Sequence, residues 1–158
     1  MHIAYCTNVR LHSERAHGHQ IAQVCDALVH LGHTVKIFCP YRDNPITTDY
    51  HTYYQAGQSV QLQALGERDY IRSPLYPVPL GLWMMNRQLR RALTELLQQE
   101  SFDLIYTRTP ALLPALLASE TPVILELHQL PRRNRAQFVT DCHRCALIAC
   151  LTAAMRDT

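Results

Sequence analysis

Glu126 and His128 stand two residues apart, directly after the apolar run Pro122-Val123-Ile124-Leu125. In an extended chain that spacing turns both side chains to one side. A histidine emerging from a buried strand at the mouth of a cleft can hydrogen-bond a substrate or move a proton near neutral pH. The plainer alternative is a histidine satisfied by a loop carbonyl. A second candidate is Gly18, which opens the first long helical pattern. A glycine there lets a ligand approach the backbone, and free N–H groups at a helix start favour phosphate. The alternative is a glycine that only serves the turn. Asn8, Arg10, Ser13, Glu14 and His17 precede Gly18 in one polar loop, and Arg108 follows a further apolar run.

Other constellations are weaker. The motif G-x-G-x-x-G is absent after the first apolar run, which argues against a dinucleotide site. No G-x-S-x-G elbow occurs, which disfavours a small hydrolase. Cys142-His143-Arg144-Cys145 is a lone C-x-x-C. Zinc wants about four ligands, and no second pair stands at a useful spacing, so no metal is expected. Arg87, Arg90 and Arg91, with Arg132, Arg133 and Arg135, read first as solvated helix faces. The other reading is a contact with an anionic substrate or with a membrane surface, as a peripheral protein makes.

The elements that would position these groups alternate short apolar runs with amphipathic stretches, the pattern of a parallel sheet covered on both faces. Strands are expected at His2–Cys6, Thr34–Cys39, Val60–Leu65, Phe102–Tyr106, Pro122–Leu127 and Cys145–Leu151. Helices are expected at Gly18–Leu31, Leu82–Gln99, Pro110–Ser119 and Arg132–His143, with a new one beginning within Thr152–Thr158. Gly32 falls where a helix end favours a left-handed residue. Tyr41–Ser59 has no period, and the prolines of Gly66–Gly81 (74, 77 and 79) argue for a loop. The result is a doubly wound, mostly parallel α/β domain. With the first strand central, the loops Thr7–His17, Thr107–Pro110 and Glu126–Pro131 meet where such sheets bind ligands.

Composition agrees with one soluble domain. The 158 residues are 47% apolar and 18% charged, and a net charge of +2 is too small to suggest nucleic acid as a partner. Of the six cysteines, Cys6, Cys39 and Cys150 lie in strand-like runs and are expected to be buried thiols. No signal peptide is read, and no run approaches the roughly 20 apolar residues that span a bilayer. A reduced, cytoplasmic protein is the expectation.

The run Met1-His2-Ile3-Ala4-Tyr5…Ala16-His17-Gly18-His19-Gln20-Ile21 and then Leu31-Gly32-His33-Thr34-Val35 resembles the start of a GT-B glycosyltransferase of family 4. Phe102-Asp103-Leu104-Ile105-Tyr106-Thr107-Arg108 and Pro122–His128 are similar to the second half of the same domain. Ala146–Thr152, with Met155-Arg156-Asp157, resembles the strand and helix before the interdomain crossover. The resemblance implies a Rossmann-like, acceptor-side N-terminal domain over residues 1–158, facing a donor-binding domain that this chain does not contain. It further implies metal-independent transfer from a nucleotide-sugar to an acceptor with retention. On that reading Gly18 and His17 belong to the donor-diphosphate loop, although many members carry a second glycine where this chain has His17. His128 matches the histidine near the reacting carbon, while Asn8, Arg10, Ser13, Arg108 and Glu126 line the cleft. The isolated domain is expected to be inactive, because the donor-side charges belong to the other domain. A reading from another class stands beside it: a non-catalytic module that binds a sugar or nucleotide.

Overall fold

The computed structural model describes residues 1–57, 59–131 and 134–156. β1 (His2–Cys6) leads through a polar loop into α1 (Ala16–His30), and β2 (Thr34–Pro40) follows. A short α2 (Tyr50–Tyr54), β3 (Val60–Leu65) and the long α3 (Val78–Gln99) complete the first half. β4 (Leu104–Thr107) is followed by a 3-10 turn (Pro110–Leu112) that runs into α4 (Leu113–Leu116). β5 (Val123–Leu127), α5 (Arg135–Cys142), β6 (Leu147–Cys150) and α6 (Ala153–Arg156) end the described chain. The expected helical residues Arg132, Arg133, Asp157 and Thr158 lie outside the described residues.

The six strands form one sheet in the order β3-β2-β1-β4-β5-β6, and every pairing is parallel. "Mostly parallel" thus becomes wholly parallel among the described strands. β1 is central, so strand order reverses beside it. Its last residue, Cys6, is level with Phe38 of β2 and Thr107 of β4. The sheet is a doubly wound, Rossmann-like one with helices on both faces.

Both faces of the sheet are packed, as continuous apolar strands require. On one, Ile3, Tyr5, Val35, Ile37 and Val60 meet Ile21, Ala22 and Cys25 of α1, with Tyr50 and Tyr54 of α2. On the other, Ala4, Cys6, Phe38, Ile105 and Leu125 meet Leu89 and Leu93 of α3, with Leu112, Leu113 and Leu116. Burying such a side chain contributes roughly 1.5–3 kcal/mol, so this double core is the main term holding the strand ends in register.

Three expectations are corrected. The aperiodic stretch 41–59 contains α2, whose start is held by the Asp49 carboxylate accepting the Thr52 N–H at 3.0 Å. Five residues are too few to show a helical period, but a capping aspartate was a legible signal. α3 begins at Val78, inside the stretch read as a loop. Pro77 caps it and Pro79 sits in its first turn, where a missing N–H costs nothing. Cys6 and Cys39 are buried, but Cys150 is only partly so, because β6 is the sheet edge. All six thiols are free.

Candidate functional site

At the carboxyl ends of β1, β4 and β5 the three predicted loops converge on a cleft of about 600 Å³. Its walls are Thr7–Val9, His17 and Ile21 on one side, and Arg108–Ala111 with His128–Pro131 on the other. The loops are pinned to the sheet. Thr107 donates its hydroxyl to the Cys6 carbonyl at 2.8 Å, and Thr109 donates to Asn8 Oδ1 at 3.2 Å. The Asn8 amide in turn donates to Asn86 Oδ1 of α3 at 3.1 Å.

Two residues of the cleft wall, Arg108 and His128, belong to a connected polar group. Nη2 of Arg108 lies 3.1 Å from Gln20 Oε1 and 2.9 Å from His128 Nδ1. Nε of Arg108 stands 3.6 Å from Glu126 Oε1. The other ring nitrogen of His128, Nε2, contacts Glu126 Oε1. Tyr106 donates its hydroxyl to Glu126 Oε2 at 2.8 Å, and its ring stacks on Tyr5 at 5.2 Å. Glu126 and His128 therefore share one side of the strand end and also touch.

A guanidinium only donates, so Nδ1 of His128 must accept from Arg108. The ring proton then resides on Nε2 and is donated to the Glu126 carboxylate. Burial, with the Glu126 hydrogen bond and charge adding to it, pushes the Tyr106 phenol far up, so it remains a donor. Arg108 Nη1 is buried without a hydrogen-bond partner among the described residues.

The remaining candidates are placed differently. Arg10 and Ser13 line a neighbouring depression of about 450 Å³ with Glu14, Arg42 and Val78, which Asn8 and His17 share with the main cleft. Arg10 pairs with Glu14 at 2.7 Å. Ser13 is buried; its Oγ accepts the Arg15 N–H, and its backbone N–H and carbonyl both bond the Tyr54 hydroxyl. Gly18 faces inward: a Cβ there would meet Tyr54 Oη at 2.5 Å and Ser13 Cβ at 3.0 Å. Its N–H is bonded to the Arg15 carbonyl at 2.9 Å. Packing against Tyr54 of α2 and Ser13 thus accounts for a glycine at this position. Burial, followed by the charges of Arg15 and Arg108, lowers His17 below the usual histidine value, with Glu14 opposing.

Sequence reasoning missed Tyr106, Thr109, Gln20, Asn86 and Tyr54. Tyr106 had a signal, since it precedes Arg108 by two, the spacing that in an extended chain turns two side chains to one side. Asn86 and Tyr54 reach the site only through tertiary packing, which no local spacing announces. Among the described residues no group of three His, Cys, Asp or Glu side chains could hold a metal ion. No helix among them is long and apolar enough to cross a membrane.

A wholly parallel sheet with a polar cleft at its switch point defines a Rossmann-like ligand-binding domain. The glycosyltransferase family 4 model matches residues 18–158, and the chain belongs to that family. No curated protein matches the chain. Among solved structures, a sucrose-phosphate synthase from Thermosynechococcus elongatus superposes with a TM-score of 0.63 at 11% identity, over 99% of this chain and 79% of that one. UGT2 of Phytolacca americana, complexed with UDP-2fluoro-glucose and pterostilbene, gives 0.58 at 18% identity, over 80% and 30%. The C-terminal domain (residues 83-215) of the PF1911 hydrogenase from Pyrococcus furiosus gives 0.55 at 13%, over 78% and 88%. Identities this low show the fold alone, and the hydrogenase shows that the fold is not confined to transferases. The chain spans about 29% of the apo UGT2 chain.

Proposed function

We propose that this chain forms the acceptor-side half of an enzyme that transfers a sugar from a nucleotide-sugar donor to an acceptor, with retention of configuration. The observation that carries the reading is the Arg108–His128–Glu126 group, whose Arg108 and His128 form part of the cleft wall. Its charges are internally balanced, and it mixes donors with acceptors. Such a surface suits the hydroxyls of a sugar better than an isolated phosphate, which favours a cluster of unpaired donors. His128, already oriented by two partners, is the residue assigned to the transferred sugar. Asn8, Glu126 and Arg108 line the sugar and acceptor side, with Arg10 and Ser13 further out. The first turn of α1, with His17 and the inward-packed Gly18, faces the donor diphosphate.

No metal or other cofactor takes part in this reading, and charge on the departing diphosphate is met by groups of a second domain. That stabilisation is usually the largest single term in such chemistry. Residues 1–158 alone are therefore inactive as a transferase, and the protein works in the cytoplasm. The test is release of nucleoside diphosphate from a panel of nucleotide-sugars. The longest gene product carrying this chain should release it with a matching acceptor, and residues 1–158 alone should not. Turnover by the short chain would overturn the division of labour. Binding of a sugar without turnover by the longest product would support the non-catalytic module.

A further inference from the structure

A second depression, of about 330 Å³, lies between α3, the turn that leads into α4, and α5. Pro110, Ala111 and Pro131 wall both it and the main cleft. Asn86, which accepts the Asn8 amide from the cleft side, lines the second space. The two are therefore neighbours, and an extended ligand can run from one into the other. The volume is at the small end of the roughly 300–1,000 Å³ that small-molecule sites occupy.

Its lining sets one aromatic ring beside polar groups whose hydrogen-bonding capacity is largely unspent. Trp83 is 54% exposed, and Arg87 lies over its ring at 5.7 Å, which leaves the other face of the indole for a ligand. Asp141 is only 4% exposed, yet among the described residues its carboxylate has one hydrogen bond, from Gln137 Nε2 to Oδ1 at 3.0 Å. Buried carboxylates ordinarily gather more donors, because desolvating them is costly. The guanidinium of Arg90 has no acceptor among the described residues. Asn134 stands at the N-cap of α5 without making the cap bond that asparagine usually makes there. Its side chain lines the depression instead.

One cation, Arg90, and one anion, Asp141, face the space, so it favours neither an anionic nor a cationic ligand. Three carboxamides with a carboxylate and a guanidinium present donors and acceptors in planar pairs. Such pairs match adjacent hydroxyls, each of which both donates and accepts. An indole beside them suits the C–H face of a pyranose, since the ring face carries the negative part of the aromatic quadrupole. A flat apolar ligand would instead leave the Asp141 carboxylate short of donors. We propose that this depression binds a neutral sugar ring, with Trp83 against its face and Asp141, Gln137, Asn86, Asn134 and Arg90 on its hydroxyls. The site does not depend on the transferase reading. Where that reading holds, the ring belongs to the acceptor, next to the unit that reacts.

Trp83 is the single tryptophan of the chain, so its emission reports a ligand in this depression. Residues 1–158 are titrated with maltotriose, cellotriose, mannotriose and chitotriose, and separately with adenosine and uridine, by fluorescence and by calorimetry. The expected result is a saturable change of Trp83 emission with at least one saccharide and none with the nucleosides. By calorimetry, Trp83→Ala and Gln137→Ala should each weaken that saccharide at least about fivefold, the scale of one lost stacking or hydrogen-bonding group. Asp141→Asn should weaken it at least about tenfold, as loss of a charged acceptor does. Trp83 and Gln137 are exposed, so their variants should unfold at the wild-type midpoint and carry the test even where Asp141→Asn fails to fold. Saccharide binding lost in His128→Ala but untouched in Trp83→Ala would place the ring in the main cleft and overturn the proposal. Binding of none of the four saccharides, or of the nucleosides alone, would overturn it too. Sugar transfer by the longest gene product is measured separately, so either reading can fail alone.

Discussion

Arg108 and His128 face each other across the ends of β4 and β5 with Nη2 and Nδ1 2.9 Å apart. Because arginine cannot accept, this contact selects the tautomer of the histidine. Glu126 completes the arrangement from the other side of the ring. Imidazole nitrogen shifts in residues 1–158 should therefore show a bare Nδ1 and a protonated Nε2 on His128 at neutral pH. Arg108→Ala should turn the pattern into a tautomer mixture, whereas Tyr106→Phe should leave it unchanged. A wild-type ring protonated on Nδ1 would contradict the geometry.

Gly18 and Tyr54 are coupled through space. Gly18→Ala sets a methyl 2.5 Å from the Tyr54 hydroxyl and should cost about 1–3 kcal/mol, as overpacking does. Tyr54→Phe removes the hydroxyl that bonds both the N–H and the carbonyl of Ser13. It also vacates the space that the added methyl needs, so the double variant should be less unstable than the sum of the two. Additive costs in denaturant titrations would show that Gly18 is not held by this contact.

The α/β class, the six strands and the meeting point of the three loops were legible because each depends on local pattern plus one topological rule. Glu126 and His128 were legible as a pair, since alternation in a strand fixes their side. The role of Gly18 was not, because Tyr54 and Ser13 come to it from an aperiodic stretch and a polar loop. The start of α3 was misread for a definite reason: proline bars a helix interior but suits a first turn. Exposure of Leu82 was invisible too, since it continues the apolar stripe that buries Met85, Leu89 and Leu93.

Acid should weaken the fold in two windows. Burial lowers His12, with Asp49 opposing, and it lowers His17 as described. The folded state then binds fewer protons than the unfolded chain, so this stability is complete above 6.5 and declines as pH falls below it. Asp69 acts lower. Burial alone would raise its carboxyl, but Arg42 and the N–H groups of Ile71 and Arg72 bring it below 3.8. That contribution is present above 3.8 and is lost as pH falls through the lowered value. Unfolding midpoints in urea should drop between about pH 7.5 and about pH 5.5, and His12→Asn with His17→Gln should flatten the decline. A pH-independent midpoint across that range would exclude the histidine contribution.

Asp69 also ties the approach to α3, accepting the N–H groups of Asp43, Ile71 and Arg72. Asp69→Ala leaves the Arg42 guanidinium without its carboxylate and should cost about 3–5 kcal/mol at neutral pH, as loss of one partner of a buried pair does. Thermal unfolding of the two proteins checks it; a difference within error would mean the ion pair carries no net stability.

The central claim is that the Arg108–His128–Glu126 group meets the transferred sugar. The most direct test compares wild type with His128→Ala in the longest gene product carrying this chain, by nucleoside diphosphate released in the presence of acceptor. The account predicts a loss of turnover of at least about 100-fold, the scale of a lost positioned donor or acid–base group, with the unfolding midpoint barely moved. Unchanged turnover in the folded variant would contradict it.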